Sequence, residues 1–109
     1  MSKNFQIIQP EGILDSIQAN SLRRDIVDLI ENGVKLILID LQDITFMNSS
    51  GMGALVATLK TVKAAGGELA LCSLTEQVKI IFELSKMNRI FQVFEDRQAF
   101  ENMHSVTID

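Results

Sequence analysis

The sequence predicts an α/β fold in which about four helices pack on a mixed, mostly parallel sheet of four to five strands. Apolar segments of strand length alternate along the chain with segments that carry apolar residues at helical spacing. The run from Val34 to Leu41 has almost no polar alternation, which predicts a central strand covered on both faces. The chain has 109 residues, of which 47% are hydrophobic, so residues 1–109 are expected to form one packed domain.

Composition argues against several classes of function. A net charge of −4, the absence of Trp and Tyr and the absence of a dense Lys/Arg cluster disfavour a nucleic-acid partner. No apolar run is long enough to cross a bilayer, and Met1-Ser2-Lys3-Asn4 is not followed by the apolar stretch of a secretory signal. The single Cys72 excludes an intrachain disulfide, and with His104 it cannot complete a zinc shell. We therefore expect a cytoplasmic protein without membrane contact, metal or cofactor.

The amino-terminal segment predicts two short strands. Phe5 and Ile7 alternate with polar residues, Pro10-Glu11-Gly12 is a turn signal, and Ile13-Leu14 restarts extended structure. Because the two segments are short and separated by a turn, a hairpin between them is one expectation.

The first helix follows directly. Asp15 or Ser16 can cap it, and Asn32-Gly33 is expected to end it because both residues tolerate the left-handed conformation. Its apolar positions are Ile17, Leu22, Ile26, Val27, Leu29 and Ile30.

The second half of the chain predicts three more helices and two strands. One face of the third helix is expected to carry Ile80, Ile81 and Leu84. In order, the predicted elements are a helix from Ser49 or Ser50 to about Ala65, a strand from Glu68 to Cys72, a helix opened by Thr75, a strand from Ile90 to Phe94, and a helix from Asp96 to about Met103, followed by a fraying tail.

The segment Phe46-Met47-Asn48-Ser49-Ser50-Gly51-Met52-Gly53 is the most informative part of the chain. It lies where the buried strand should give way to the second helix, so two hydroxyls and two glycines fall at a helix N-terminus. Free backbone N–H groups and a partial positive charge there favour an oxyanion or a phosphate. A serine that can be phosphorylated at this position would be an on/off site.

Three stretches carry a resemblance to a known family: Gly12-Ile13-Leu14-Asp15, the loop from Asp43 to Gly53, and Gly66-Gly67-Glu68-Leu69 through Cys72. Over essentially its whole length the chain resembles a stand-alone STAS domain of the bacterial anti-sigma factor antagonist type. The loop resembles the family's phosphorylation loop, usually Asp-Ser-Ser-Gly or Asp-Ser-Ala-Gly followed by an apolar residue and Gly.

The resemblance implies that Ser49 accepts a phosphate and that the chain is a ligand and a substrate rather than an enzyme. The unphosphorylated form would bind an anti-sigma factor that is also a serine kinase, which frees the sigma factor. The kinase would use ATP and magnesium, and a PP2C-like serine phosphatase would reset the switch. The expected partner-binding residues are Asp15, Asn48, Ser49, Ser50, Gly51 and Met52.

One position departs from the family pattern. Asn48 stands where the family usually has Asp. Asn keeps the size and the capping ability of Asp but lacks its charge, so it could not assist deprotonation of the acceptor hydroxyl. It would also ease the repulsion that a phosphoserine would feel beside a carboxylate.

Structural alternatives remain open for these residues. Ser49 and Ser50 could be a plain N-cap, and Asp15 could cap the first helix rather than face a partner. Gly51 and Gly53 could serve close packing or could keep a small surface for a partner. Met47 and Met52 could each fill the core or contact a partner, and Met52 is the stronger candidate for exposure. Cys72 is expected to be a buried small apolar group.

Two other functions are also open. A stand-alone STAS subunit or scaffold could regulate an ABC-type transporter or a signalling complex without phosphorylation. A nucleotide-binding enzyme is disfavoured because the chain lacks the phosphate-loop lysine and the longer glycine fingerprint.

Overall fold

The computed structural model describes residues 5–105, which form six strands, four α-helices and one short 3-10 turn. The strands are β1 (Phe5–Ile8), β2 (Glu11–Leu14), β3 (Leu36–Asp40), β4 (Asp43–Met47), β5 (Glu68–Cys72) and β6 (Gln92–Phe94). The helices are α1 (Ser16–Glu31), α2 (Ser49–Ala64), α3 (Glu76–Ser85) and α4 (Arg97–Ser105), and the 3-10 turn is Met87–Arg89.

Strand β3 lies inside a four-stranded parallel sheet with the order β1-β3-β5-β6. Ile37, Leu38 and Ile39 are completely buried, which explains why this segment lacks polar alternation. The predicted central strand and its parallel pairing are therefore confirmed.

Strands β2 and β4 form a separate two-stranded parallel sheet. The expected hairpin between the first two segments is wrong, because β1 pairs with β3 and β2 pairs with β4. Strand β4 itself was not predicted as a separate element. An irregularity in register between Gly12 and Ile13 separates the pairs Gly12–Ile44 and Ile13–Phe46, which leaves Thr45 without a partner in this register.

The four-stranded sheet is covered on both faces. Alternate residues of β3 and β5 point to opposite sides, so Ile37 and Leu71 join a large cluster with α1, α2 and α3. Leu38 and Cys72 join a smaller cluster closed by Phe100 of α4. The sheet with helices on it is the predicted fold class, which the structure confirms.

The face of α3 that was predicted to carry Ile80, Ile81 and Leu84 is not the face that the helix buries. Val78 and Phe82 are the buried positions, whereas Ile80 and Leu84 are exposed. Thr75 caps the helix as predicted, and its hydroxyl donates a 3.0 Å hydrogen bond to the Ile44 carbonyl of β4. The cap thereby ties α3 to the sheet that leads into α2.

Helix α4 includes His104 and so continues past its predicted end at about Met103. The His104 ring is half-buried, and its centroid lies 4.3 Å from that of Phe100. The rest of the predicted fraying tail, residues 106–109, and the segment 1–4 considered for a secretory signal lie outside the described residues. Within residues 5–105, none of the helices has both the length and the apolar character needed to span a bilayer.

A polar network joins α4 to the ends of the strands. The buried Asp40 carboxylate accepts a 2.6 Å bond from Arg97 Nε and a 3.0 Å bond from the Gln42 backbone N–H. Arg97 also donates to the Gln9 side chain, and Gln9 Nε2 donates to Asp43 at 2.6 Å. Because a buried carboxylate is costly without a partner, Arg97 is the group that makes Asp40 tolerable in the core.

We expect Arg97→Ala to lower the free energy of unfolding by about 2 kcal/mol, because the buried Asp40 charge loses its cation. Urea denaturation gives this value directly. Arg24→Ala is the matched control, since Arg24 is exposed on α1 and forms no ion pair within the described chain. Equal stability of the two variants would contradict the assignment.

Candidate functional site

Asn48 caps helix α2. Its backbone is extended, its Oδ1 accepts a 2.8 Å hydrogen bond from the Gly51 N–H, and its carbonyl accepts a 2.9 Å bond from the Met52 N–H. The capping alternative for Ser49 and Ser50 is therefore wrong, because the residue before them provides the cap.

Ser49 and Ser50 are the first two residues of α2, and both are exposed. Within residues 5–105, neither hydroxyl makes a hydrogen bond to another protein group. The first N–H groups of a helix have no intrahelical partner, and the helix dipole adds partial positive charge. An anion attached to either serine would meet a favourable electrostatic environment from its own helix.

Gly51 is buried against the end of β2. A Cβ built on Gly51 would lie 1.9 Å from the Leu14 carbonyl oxygen, a distance that no side chain can tolerate. The packing interpretation therefore holds for Gly51. This residue cannot contribute exposed surface to the expected partner-binding set, and its contribution is to let α2 begin against β2.

Asp15 and Asn48 lie at the ends of paired strands. Leu14 pairs with Met47, and the Asn48 N–H donates to the Leu14 carbonyl at 3.4 Å, so the residues that follow the two strands adjoin. Asp15 Oδ1 accepts a 2.9 Å bond from the Gln18 N–H and caps α1. The structure thus brings Asp15, predicted as a contact residue, to the loop while giving it a capping role.

The two methionines differ in burial. Met47 is 1% exposed and belongs to the core, whereas Met52 is half-buried and packs against the same core. Met52 is the more exposed of the two, as the sequence predicted.

Two exposed apolar residues beside the loop were not selected from the sequence. Ile13 is 52% exposed and Phe46 is 48% exposed, and they are direct neighbours across the β2–β4 pair. Phe46 also lines an open groove of about 490 Å³ whose other lining residues are Thr45, Gln77, Ile80 and Ile81. The register irregularity turns Phe46 outward where simple alternation would not, so its exposure cannot be predicted from alternation along the chain.

Cys72 is fully buried at the end of β5, as predicted. Burial raises the pKa of its thiol, which keeps the sulfur protonated and unreactive at neutral pH.

The profile of the STAS domain family matches residues 2–100. The chain belongs to the STAS domain family. Its relatives include the anti-sigma-B factor antagonist of Bacillus subtilis, which is 37% identical over 82 residues, or 75% of this chain and 74% of the relative. The anti-sigma-B factor antagonist of Staphylococcus aureus is 24% identical over 95 residues, or 87% of this chain and 88% of the relative.

A solved structure shows that this STAS domain has the fold of its relatives. The unphosphorylated form of the anti-sigma factor antagonist SpoIIAA from Bacillus superimposes with a TM-score of 0.74 at 21% identity. The match covers 96% of this chain and 93% of SpoIIAA.

The two glycines of the loop should respond oppositely to alanine. We expect Gly51→Ala to lower the free energy of unfolding by about 3 kcal/mol, because the methyl group collides with backbone. Gly53→Ala should raise it by about 0.5–1 kcal/mol, since nothing lies within 4 Å of the added Cβ and alanine favours the helix. Urea denaturation of both variants measures the difference. A loss of stability in Gly53→Ala would contradict the open space found there.

Proposed function

We propose that this protein is an anti-sigma factor antagonist that binds an anti-sigma factor serine kinase and is released when Ser49 is phosphorylated. In this proposal the unphosphorylated protein occupies the kinase and so frees a sigma factor. A PP2C-like phosphatase restores the binding form. The protein acts as a ligand and substrate and catalyses no reaction itself.

The observation that carries the proposal is the exposed Ser49 hydroxyl in the first turn of α2. Asn48 caps the helix, so modification of the Ser49 hydroxyl would not remove the capping hydrogen bond. The relatives named as anti-sigma factor antagonists support the partner class. The fold also accommodates phosphate in principle, since SpoIIAA has been solved in a phosphorylated form.

The proposed modification is a simple phosphoryl transfer. The Ser49 oxygen forms a bond to the γ-phosphorus of ATP while the bond from that phosphorus to the β,γ-bridging oxygen breaks. ADP leaves, and the hydroxyl proton passes to a base of the kinase, with Mg²⁺ neutralising charge on the phosphates. The reset consumes water and releases inorganic phosphate.

Release follows from the cost of burying charge. A phosphate adds about −1.5 to −2 charge at neutral pH. At a docked interface this dianion would lose its hydration without gaining a designed cation, which is unfavourable. A change of about 1.4 kcal/mol already weakens binding tenfold, so the switch requires no large rearrangement of the domain.

The surface around Ser49 is suited to docking a protein. Asp15, Ser50 and the partly exposed Met52 lie beside the acceptor, and the exposed Ile13 and Phe46 extend the surface along β2 and β4. Apolar anchors next to a modifiable hydroxyl would give affinity that a charge can cancel.

Direct phosphorylation tests the proposal. The purified protein is incubated with ATP, Mg²⁺ and a purified anti-sigma factor serine kinase from the same organism, and intact mass spectrometry counts the phosphoryl groups added. We expect one, which peptide mapping places on Ser49. Stable binding to that kinase without any added phosphate would favour a constitutive scaffold instead.

Ser49→Ala should keep kinase binding and accept no phosphate, so the complex should persist in the presence of ATP. Ser49→Asp should weaken binding at least about tenfold while the thermal unfolding midpoint stays nearly unchanged, because an anion is tolerated at the helix N-terminus. Calorimetric titration with the kinase measures both affinities.

Ser49→Asn is the matched control, since it has the size of Asp without the charge. It should bind more tightly than Ser49→Asp. If the two bind equally, steric size rather than charge controls release, and the electrostatic mechanism is wrong.

A further inference from the structure

We infer that Gly53 is a recognition residue of the surface around Ser49: its missing side chain leaves the space through which the kinase reaches Ser49. This inference rests on the function proposed above and adds a residue to it. It assigns to Gly53 a role in recognition that the fold does not require.

The structure separates Gly53 from the other glycine of the loop. Gly51 is required by packing, because a Cβ there would meet the Leu14 carbonyl at 1.9 Å. Gly53 is exposed in the helix, a Cβ built on it has nothing within 4 Å, and its backbone is not left-handed. Glycine inside a helix is less stable than alanine, so Gly53 lowers the stability of α2 without a compensating contact.

Helix geometry places Gly53 directly beside the acceptor. Residues four apart in a helix lie next to each other on its surface, so Gly53 is the neighbour of Ser49 in the following turn. Cα–Cβ bonds in a helix tilt toward its N-terminus. A side chain at position 53 would therefore lean over the turn that carries the Ser49 hydroxyl.

A kinase needs that space. Phosphoryl transfer requires the γ-phosphorus to come within about 3–3.5 Å of the serine oxygen, which brings the walls of the kinase site against the next helical turn. The exposed face of α2 carries only a small side chain in the turn beyond Gly53, that of Ala57. Lys60 is the first exposed charged residue of the helix. A partner can thus lie close along the first two turns.

Graded substitutions test the inference. Gly53→Ala and Gly53→Gln add small and large side chains that favour helix, and Ala64→Gln is the matched control at the exposed far end of α2. The readouts are the Kd for the anti-sigma factor serine kinase used in the phosphorylation test above, the rate of Ser49 phosphorylation with ATP and Mg²⁺, and Tm.

We expect Gly53→Gln to weaken binding and slow phosphorylation at least about tenfold, with Gly53→Ala intermediate. Both variants should keep or raise Tm, by about 4 °C for Gly53→Ala, so misfolding cannot explain the loss. Ala64→Gln should match the wild type in binding and rate.

The outcomes distinguish the two proposals. If the wild type is bound and phosphorylated but Gly53→Gln behaves like it, the role of Gly53 is wrong and the phosphorylation switch stands. If the wild type is neither bound nor phosphorylated, the proposed function fails and this inference fails with it. A loss caused equally by Ala64→Gln would also overturn it, because the effect would not be local to Ser49.

Discussion

The site depends on the close approach between the Leu14 carbonyl and the first turn of α2. This carbonyl accepts a hydrogen bond from the Asn48 N–H, and the absence of a side chain on Gly51 lets the helix reach it. As a result β2 and β4 end side by side, and α1 and α2 begin next to each other with their caps Asp15 and Asn48 adjoining. A larger residue at position 51 would separate these elements and move the loop away from its neighbours.

The sequence predicts elements whose signal is local. β3 and α2 were found because a continuous apolar run and a helical period require no knowledge of distant residues. β4 was missed because its buried positions, Ile44 and Met47, are three residues apart around the register irregularity rather than two. The predicted hairpin is wrong for a related reason. Two short strands joined by a turn indicate a pairing between neighbours, whereas β1 and β2 each pair with a strand some thirty residues away.

In the candidate site, too, the features with a local sequence signal were predictable and those that depend on distant contacts were not. The position of Ser49 at a helix start could be predicted, because a strand followed by hydroxyl and glycine residues fixes that transition. The identity of the cap and the different roles of the two glycines could not be predicted, because they depend on the contact with Leu14. The outward position of Phe46 likewise follows from its pairing with Ile13 and not from its own segment.

In the first turn of α2, capping, close packing and the proposed modification fall on three different residues: Asn48, Gly51 and Ser49. This separation explains how the proposed switch can act on a partner without unfolding the domain. If Ser49 were the N-cap, phosphorylation would remove a cap worth about 1 kcal/mol and would couple modification to folding stability. With the cap on Asn48 and the packing on Gly51, the free-energy cost of the proposed phosphate would fall on the docked partner instead. The neutral Asn48 side chain supports the same separation, because a carboxylate at that position would repel a neighbouring phosphate dianion and raise the energy of the phosphorylated form. The residues that hold the loop are thus distinct from the residue that would be modified, so the proposed modification would leave the cap and the packing of α2 intact.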